Sequence, residues 1–318
     1  MDCVKVSTFS VIEGQAIDKG AQEHPYWFET LRIKGLIMTN QPSGPPSGGV
    51  QRNIEPLDPI WQKICAEAEQ IASVEPALAS FVFATILNHH QLEQAVCHRL
   101  AQLLDHTDVD RGLLRQTFDE VLMQEPRLGQ AFRADLSAVF ERDPACERYV
   151  EPLLYFKGFH ALQTQRLSHL LWKAGRRDFA LYLQSQSSRI FGIDIHPAAR
   201  IGCGVFIDHG HAIVVGETAQ IGNNVSILHN VTLGGTGKTG GDRHPKIGDH
   251  VMIGAGAKIL GNIRVGCGSI VAAGSVVLKE VPPKTTVAGV PAKVIGKVGC
   301  HEPELTMDQT LDNCRGAE

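Results

Sequence analysis

The sequence predicts an α+β chain, in which an all-α helical domain is followed by a left-handed parallel β-helix of hexapeptide repeats. Three observations carry that expectation. Between Ile195 and Val277 an aliphatic residue returns every six positions. From Asp58 to about Arg189 the apolar period is instead three and four. The segment Ile193-Asp-Ile-His-Pro197 joins the two regimes.

The hexads start at Ile195, Ile201, Ile207 and Ile213. They resume two residues out of register at Ile221, Ile227 and Leu233, and again after a glycine-rich interruption at Ile247, Ile253, Ile259, Val265, Val271 and Val277. A single alternating strand repeats every two residues and an amphipathic helix at three and four, so neither accounts for a sustained six. A triangular prism does, with one short strand and one corner per hexad and the aliphatic residue pointing inward.

In the helical region Leu92, Val96, Leu100 and Leu103 share a face, as do Leu114, Phe118, Val121 and Leu122, while Leu128, Phe132, Leu136 and Phe140 repeat at four. Ser73 is expected to cap a helix that tolerates Pro76 in its first turn. A helix starting after Pro152 is expected to end near Gly175, and Asp178 to open another. Six to eight helices should fill residues 57–190, and the prism residues 191–298. Residues 1–56 end in the turn-rich run Gln41-Pro-Ser-Gly-Pro-Pro-Ser-Gly-Gly49 and read as a flexible extension. Residues 299–318 are polar and aperiodic and read as a disordered tail.

Composition excludes several function classes. A net charge of −4 gives no electrostatic footprint for nucleic acid. No apolar run approaches the roughly 18 residues of a membrane span. The eight cysteines show no CxxC spacing and read as free thiols in a reducing compartment, so the expected location is cytoplasmic.

Two polar clusters stand out against the prism. Asp208-His209-Gly210-His211 falls in one hexad, and Gly234–Asp242 leaves as a loop that returns through Arg243-His244-Pro245. Histidines, carboxylates and a permanent cation together suit a general base, an orienting partner and an anion clamp. Gly237-Lys-Thr239 imitates the end of a nucleotide-binding loop, but the glycine such a loop needs five residues earlier is Thr232, and no helix follows. A loop folding over a substrate fits better.

The run Asp194-Ile-His-Pro-Ala-Ala199, Asp208-His209, Val215-Gly-Glu-Thr218, Val225-Ser-Ile-Leu-His229, Thr232–Lys238, Gly241-Asp-Arg-His-Pro-Lys246, Ile253–Asn262 and Ala288-Gly-Val-Pro-Ala292 resembles the serine O-acetyltransferase family. So do Arg142-Asp-Pro-Ala145 and Leu153–Leu162 in the helical region. The resemblance implies acetyl transfer from acetyl-CoA to the hydroxyl of L-serine, for cysteine biosynthesis, directly within a ternary complex. It assigns His209 as base, Asp194 as its orienting carboxylate and His244 as a second positioning or acid/base group. Asp143 and Asp208 would hold the serine ammonium and Arg243 its carboxylate. Acetyl-CoA would lie along Gly235, Thr236, Gly254, Ala255 and Ala273, with Lys293 toward its phosphates. It is a co-substrate, and no bound cofactor or metal is expected. L-cysteine is the expected feedback inhibitor, and the assembly a homotrimer or a dimer of trimers.

Rival readings remain at this point. A zinc carbonic anhydrase on the same prism needs three converging histidines, and His196, His209, His211, His229, His244 and His250 could supply them. A non-catalytic scaffold would lack the Asp194, His209, Arg243 and His244 set, and a different acetyl acceptor is compatible with the fold. The chain departs from the resemblance at both ends. The segment before Pro56 has no counterpart, and the chain closes on Glu318 where many members close on isoleucine. That makes a complex with O-acetylserine sulfhydrylase doubtful.

Overall fold

Residues 58–237, 240–299 and 302–308 are described by a computed structural model of the chain. The expected extension over 1–56, Lys238 and Thr239 of the glycine loop, and Glu318 lie outside the described residues.

Among the described residues eight α-helices precede the strands: α1 Pro59–Val74, α2 Ala79–Val82, α3 Leu92–Leu103, α4 Arg111–Gln124, α5 Leu128–Arg142, α6 Val150–Leu154, α7 Lys157–Lys173 and α8 Arg177–Phe191. Asp58 caps α1 by accepting the Trp61 N–H, and Asp110 caps α4 by accepting from Gly112 and Leu113. Ser73 does not cap: it lies within α1, and Glu75 precedes the turn that starts at Pro76. The helix expected after Pro152 does end near Gly175, at Lys173, and α8 opens beside Asp178, but the start of the former is delayed to Lys157. The carbonyl of Leu153 accepts from the His160 ring (2.8 Å) and that of Leu154 from Arg99 (2.8 Å), so side chains rather than the next helical turn satisfy them. The chain breaks there and α7 begins at Lys157.

α7 is the central helix, buried on nearly every side although it carries His160, Gln163, Thr164, Gln165, Arg166 and Ser168. Arg166 and Asp135 of α5 form a buried bidentate pair (2.8 and 3.0 Å), and Arg166 also donates to the carbonyls of Ile201 and Gly202 in the first coil. The described helices and the prism thereby belong to one compact unit.

At the left-handed Gly192 the chain turns from α8 into a prism of three parallel faces. The first face stacks Ile193–Ile195, Ile213–Val215, Thr232–Gly234, Lys258–Leu260 and Val276–Val277. Its inward residues, Ile195, Val215, Leu233, Ile259 and Val277, stand in register and are all buried. Ile201, Ile221, Ile247 and Val265 do the same on the second face. Ile207, Ile227, Ile253, Val271 and Val287 do so on the third. This register corrects one hexad, because Ile213 pairs with Ile193 and the true repeat is Val215. The two extra residues therefore enter earlier than expected, in the corner after Ile207 that carries Asp208 and His209. An antiparallel hairpin, Thr285–Gly289 with Ala292–Lys297, extends the third face.

The tail is also corrected in part. Residues 302–308 are ordered against the third face, where Pro303–Thr306 forms a short helix α9 and Glu304 is buried. The Glu304 carboxylate pairs with the ring of His250 (2.5 Å), and its carbonyl accepts from Ser226 (3.0 Å). These contacts are tertiary, which is why local periodicity did not foretell them. No single helix among the described residues is long and apolar enough to cross a membrane.

Candidate functional site

Most of the expected site residues fall at two corners of the prism and on the face between them, with Asp143 at the end of α5 and Lys293 on the terminal hairpin. The first corner joins the third face to the first. Asp208 and His209 stand there, His209 at φ 55°, with His229 one coil on and its ring 5.8 Å from that of His209. Left-handed residues also turn other corners, at Asn224, Asn230 and His250, so the conformation belongs to corner geometry rather than to His209 alone. The His209 side chain is 74% exposed, its Nε2 3.7 Å from Asp208 Oδ2. Asp143 ends α5 near the same corner, because Phe206 of the third face packs on Ala138 and Val139 of that helix. Burial pushes the Asp208 carboxyl above its ordinary range; His209 pulls it back and Asp143 pushes it further up. Two facing carboxylates of this kind suit a cationic ligand group.

The second corner joins the first face to the second. Arg243 donates to the Glu217 carboxylate (2.8 Å) and to the Gly241 carbonyl (3.1 Å). That hydrogen bond, before any other influence, holds the Glu217 carboxyl below its ordinary value. His244 is buried, its Nδ1 2.9 Å from the Thr218 hydroxyl. Burial first, then the charges of Arg243 and Lys246, keep the His244 ring below the usual imidazole range. His196, one coil below, is lowered by burial too. Asp194 faces outward from the first strand of the face between the corners, and Gln184 of α8 donates to its Oδ1 (2.7 Å).

Hydrogen bonds and ion pairs run within each corner, and among the described residues none joins Asp208 or His209 to Arg243 or His244, or Asp194 to His209. The glycine-and-alanine set divides the same way. Gly254, Ala255 and Ala273 lie at the first corner, where Gly254 stacks on the backbone of Ala273, while Gly235 and Thr236 lie at the second. Lys293 is exposed on the terminal hairpin. Among the described residues of one copy, no three His, Cys, Asp or Glu side chains converge to hold a metal ion.

Sequence reasoning passed over Glu217, Thr218 and Gln184. A signal for Thr218 existed: Gln220 pairs with Lys246, so counting back three from Ile221 and from Ile247 lands on Thr218 and His244 side by side. Gln184 left no such mark, since only the packing of α8 on the first strand brings it to Asp194.

A family model described as serine acetyltransferase, N-terminal, matches residues 60–164, and one described as bacterial transferase hexapeptide (six repeats) matches residues 244–279. The chain is 53% identical over 255 residues to the serine acetyltransferase of Escherichia coli strain K12, covering 80% of this chain and 93% of that one. It is similar to the crystal structure of serine acetyltransferase in complex with coenzyme A from Brucella abortus strain S19, with 61% identity, a TM-score of 0.76, and 77% and 98% of the two chains covered. A solved serine acetyltransferase in complex with cysteine matches at 50% identity and a TM-score of 0.78, over 79% and 97% of the chains.

Proposed function

This chain belongs to the serine acetyltransferase family, and from that premise we propose that it transfers acetyl directly from acetyl-CoA to L-serine at a site shared between two copies of the chain. It is an acyltransferase with acetyl-CoA as co-substrate. A thioester is already activated, so the reaction needs a base for the serine hydroxyl, donors for the tetrahedral oxyanion and a grip on the two substrates. In this reading the His209 imidazole takes the hydroxyl proton as the oxygen attacks the thioester carbonyl. Asp194 orients that imidazole, as a carboxylate does in a catalytic triad. The thiolate of CoA leaves and O-acetylserine forms, with no acyl-enzyme between. Asp143 and Asp208 hold the serine ammonium, Arg243 its carboxylate, and His244 lies at the reacting oxygens. The pantetheine arm runs past Gly235, Thr236, Gly254, Ala255 and Ala273, and Lys293 faces the phosphates. The product supports cysteine synthesis, in a reducing compartment such as the cytoplasm that suits the free cysteines.

The observation that supports the shared site is the division of these side chains between two corners of one prism, with no hydrogen bond or ion pair between the sets among the described residues. A threefold axis brings the first corner of one copy against the second corner of the next, closing a trimer; two trimers joined through their helical domains would make a hexamer. Complementation tests this. Trimers of His209→Ala and of Arg243→Ala are each expected to be inactive, while a random one-to-one mixture regains about a quarter of wild-type activity, because about three quarters of its trimers are mixed and one of three interfaces in each of those is intact. Failure of every mixture to recover would place the whole site within one copy.

Two further results are expected. L-cysteine, with the ammonium and carboxylate of serine, should compete with serine, and a purely noncompetitive pattern at constant acetyl-CoA would remove it from the pocket. Serine KM should also depend on pH through Asp208. The ammonium needs the ionised carboxylate, and a raised pKa means that form is lost at a higher pH than for an exposed aspartate. Serine KM therefore rises as pH falls, beginning above the ordinary aspartate range. In Asp143→Asn, where one influence raising that pKa is gone, KM is higher throughout but its acid rise moves to lower pH. Serine KM titrated between about pH 5 and 8 in both proteins reads this, and unmoved profiles would refute it.

A further inference from the structure

His244 makes hydrogen bonds that leave its ring a single neutral form. The backbone N–H of Thr218 points at His244 Nδ1 (3.2 Å), and a backbone amide can only donate, so Nδ1 is an acceptor and carries no proton. The Thr218 hydroxyl reinforces this. Its oxygen already accepts the N–H of Arg243 (3.0 Å) and of His244 (3.1 Å), and its one proton meets Nδ1 at 2.9 Å. The Asp242 carboxylate, held first by Lys246, competes for that same hydroxyl proton, so it is the backbone N–H of Thr218 that obliges Nδ1 to accept. The ring proton therefore sits on Nε2, which has no hydrogen-bond partner among the described residues. Nε2 lies over Gly216, where a Cβ would come within 2.1 Å of it, so any larger residue there would displace the ring.

A protonated ring would turn an Nδ1–H against the Thr218 N–H, two donors face to face in a buried place. The charged groups around the ring, Arg243 and Lys246 against Glu217, together with His196, add to burial in keeping it neutral. We infer that His244 serves transfer as a neutral hydrogen-bond donor, delivering its Nε2–H to a substrate oxygen and taking no proton itself, and that Thr218 is the positioning residue that fixes this tautomer. The inference rests on the reading that places His244 at the reacting oxygens. Within that reading it divides the labour: His209 moves the proton, and His244 only stabilises charge.

Two measurements test it on the intact enzyme. Nitrogen-15 spectra of the histidine-labelled wild type, with His244 assigned by its loss in His244→Gln, should show a pyridine-like Nδ1 and a pyrrole-like Nε2 at neutral pH. A protonated Nδ1 overturns the inference and leaves the shared site standing. In kinetics, His244→Gln places an amide N–H near the Nε2 position and should keep kcat within about tenfold of wild type, whereas His244→Ala should lose about a hundredfold or more, the usual cost of one such donor. If Gln is as impaired as Ala, the ring transfers a proton and the inference fails. An alanine variant with wild-type turnover would instead overturn the placement of His244 on which the inference rests. Thr218→Ser, which keeps the hydroxyl, should preserve both the spectrum and the rate, while Thr218→Val should lower kcat more than it raises KM for acetyl-CoA.

Discussion

Replacing His209 with alanine should lower kcat by about two to four orders of magnitude, the usual worth of a positioned general base, while changing acetyl-CoA affinity little. The side chain is exposed at its corner and outside the buried core, so its loss should remove chemistry with little effect on folding. Its neighbours fit the role. Asp208 is close enough to be pulled down by it, and His229 lies against it edge to face. Steady-state rates, with thermal midpoints as a control for folding, decide the matter. A variant that retained more than roughly a tenth of wild-type turnover would mean that another group removes the proton.

Much of this molecule was legible as period and much of its site was not. The inward residues of the prism announced themselves because each strand is only two or three residues long and every coil repeats the same aliphatic demand. What periodicity missed was where the repeat was broken. Taking Ile213 for a repeat start displaced the insertion by a hexad and hid the fact that the extra residues build the corner bearing Asp208 and His209. His209 and His229 each stand two residues after Ile207 and Ile227, and Thr218 and His244 three before Ile221 and Ile247, so these pairings across coils were legible in the repeat without that correction.

Other parts were not. Asp143 sits at the end of α5 in a sequence that reads as an ordinary turn, and only the packing of that helix on Phe206 carries it to the prism corner. Burial of α7 defeated the apolar pattern because its polar side chains are satisfied inside the protein, an arrangement that amphipathicity cannot signal. The segment around Glu304 is ordered by His250 and Ser226, both far away in sequence.

The same interior arrangement sets the largest expected effect on stability. Asp135 is fully buried and accepts four hydrogen bonds: two from the Arg166 guanidinium, one from Gln163 (3.0 Å) and one from the Val205 N–H (3.0 Å) of the prism. Removing it leaves a buried guanidinium without its counter-charge, and Val205 and Gln163 without an acceptor. Breaking such a pair by deleting one partner costs about 3–5 kcal/mol. Asp135→Ala should therefore unfold at markedly lower denaturant, measured at fixed protein concentration because the assembly contributes to apparent stability. Removing both charges together, in Asp135→Leu with Arg166→Met, should cost less than the sum of the single changes, since no unpaired charge remains. It should not return to wild type, because Ile201 and Gly202 lose the donor that Arg166 supplied to their carbonyls. A loss below about 1 kcal/mol for Asp135→Ala would mean that water reaches the guanidinium and that the pair does not fasten α5 and α7 to the first coil.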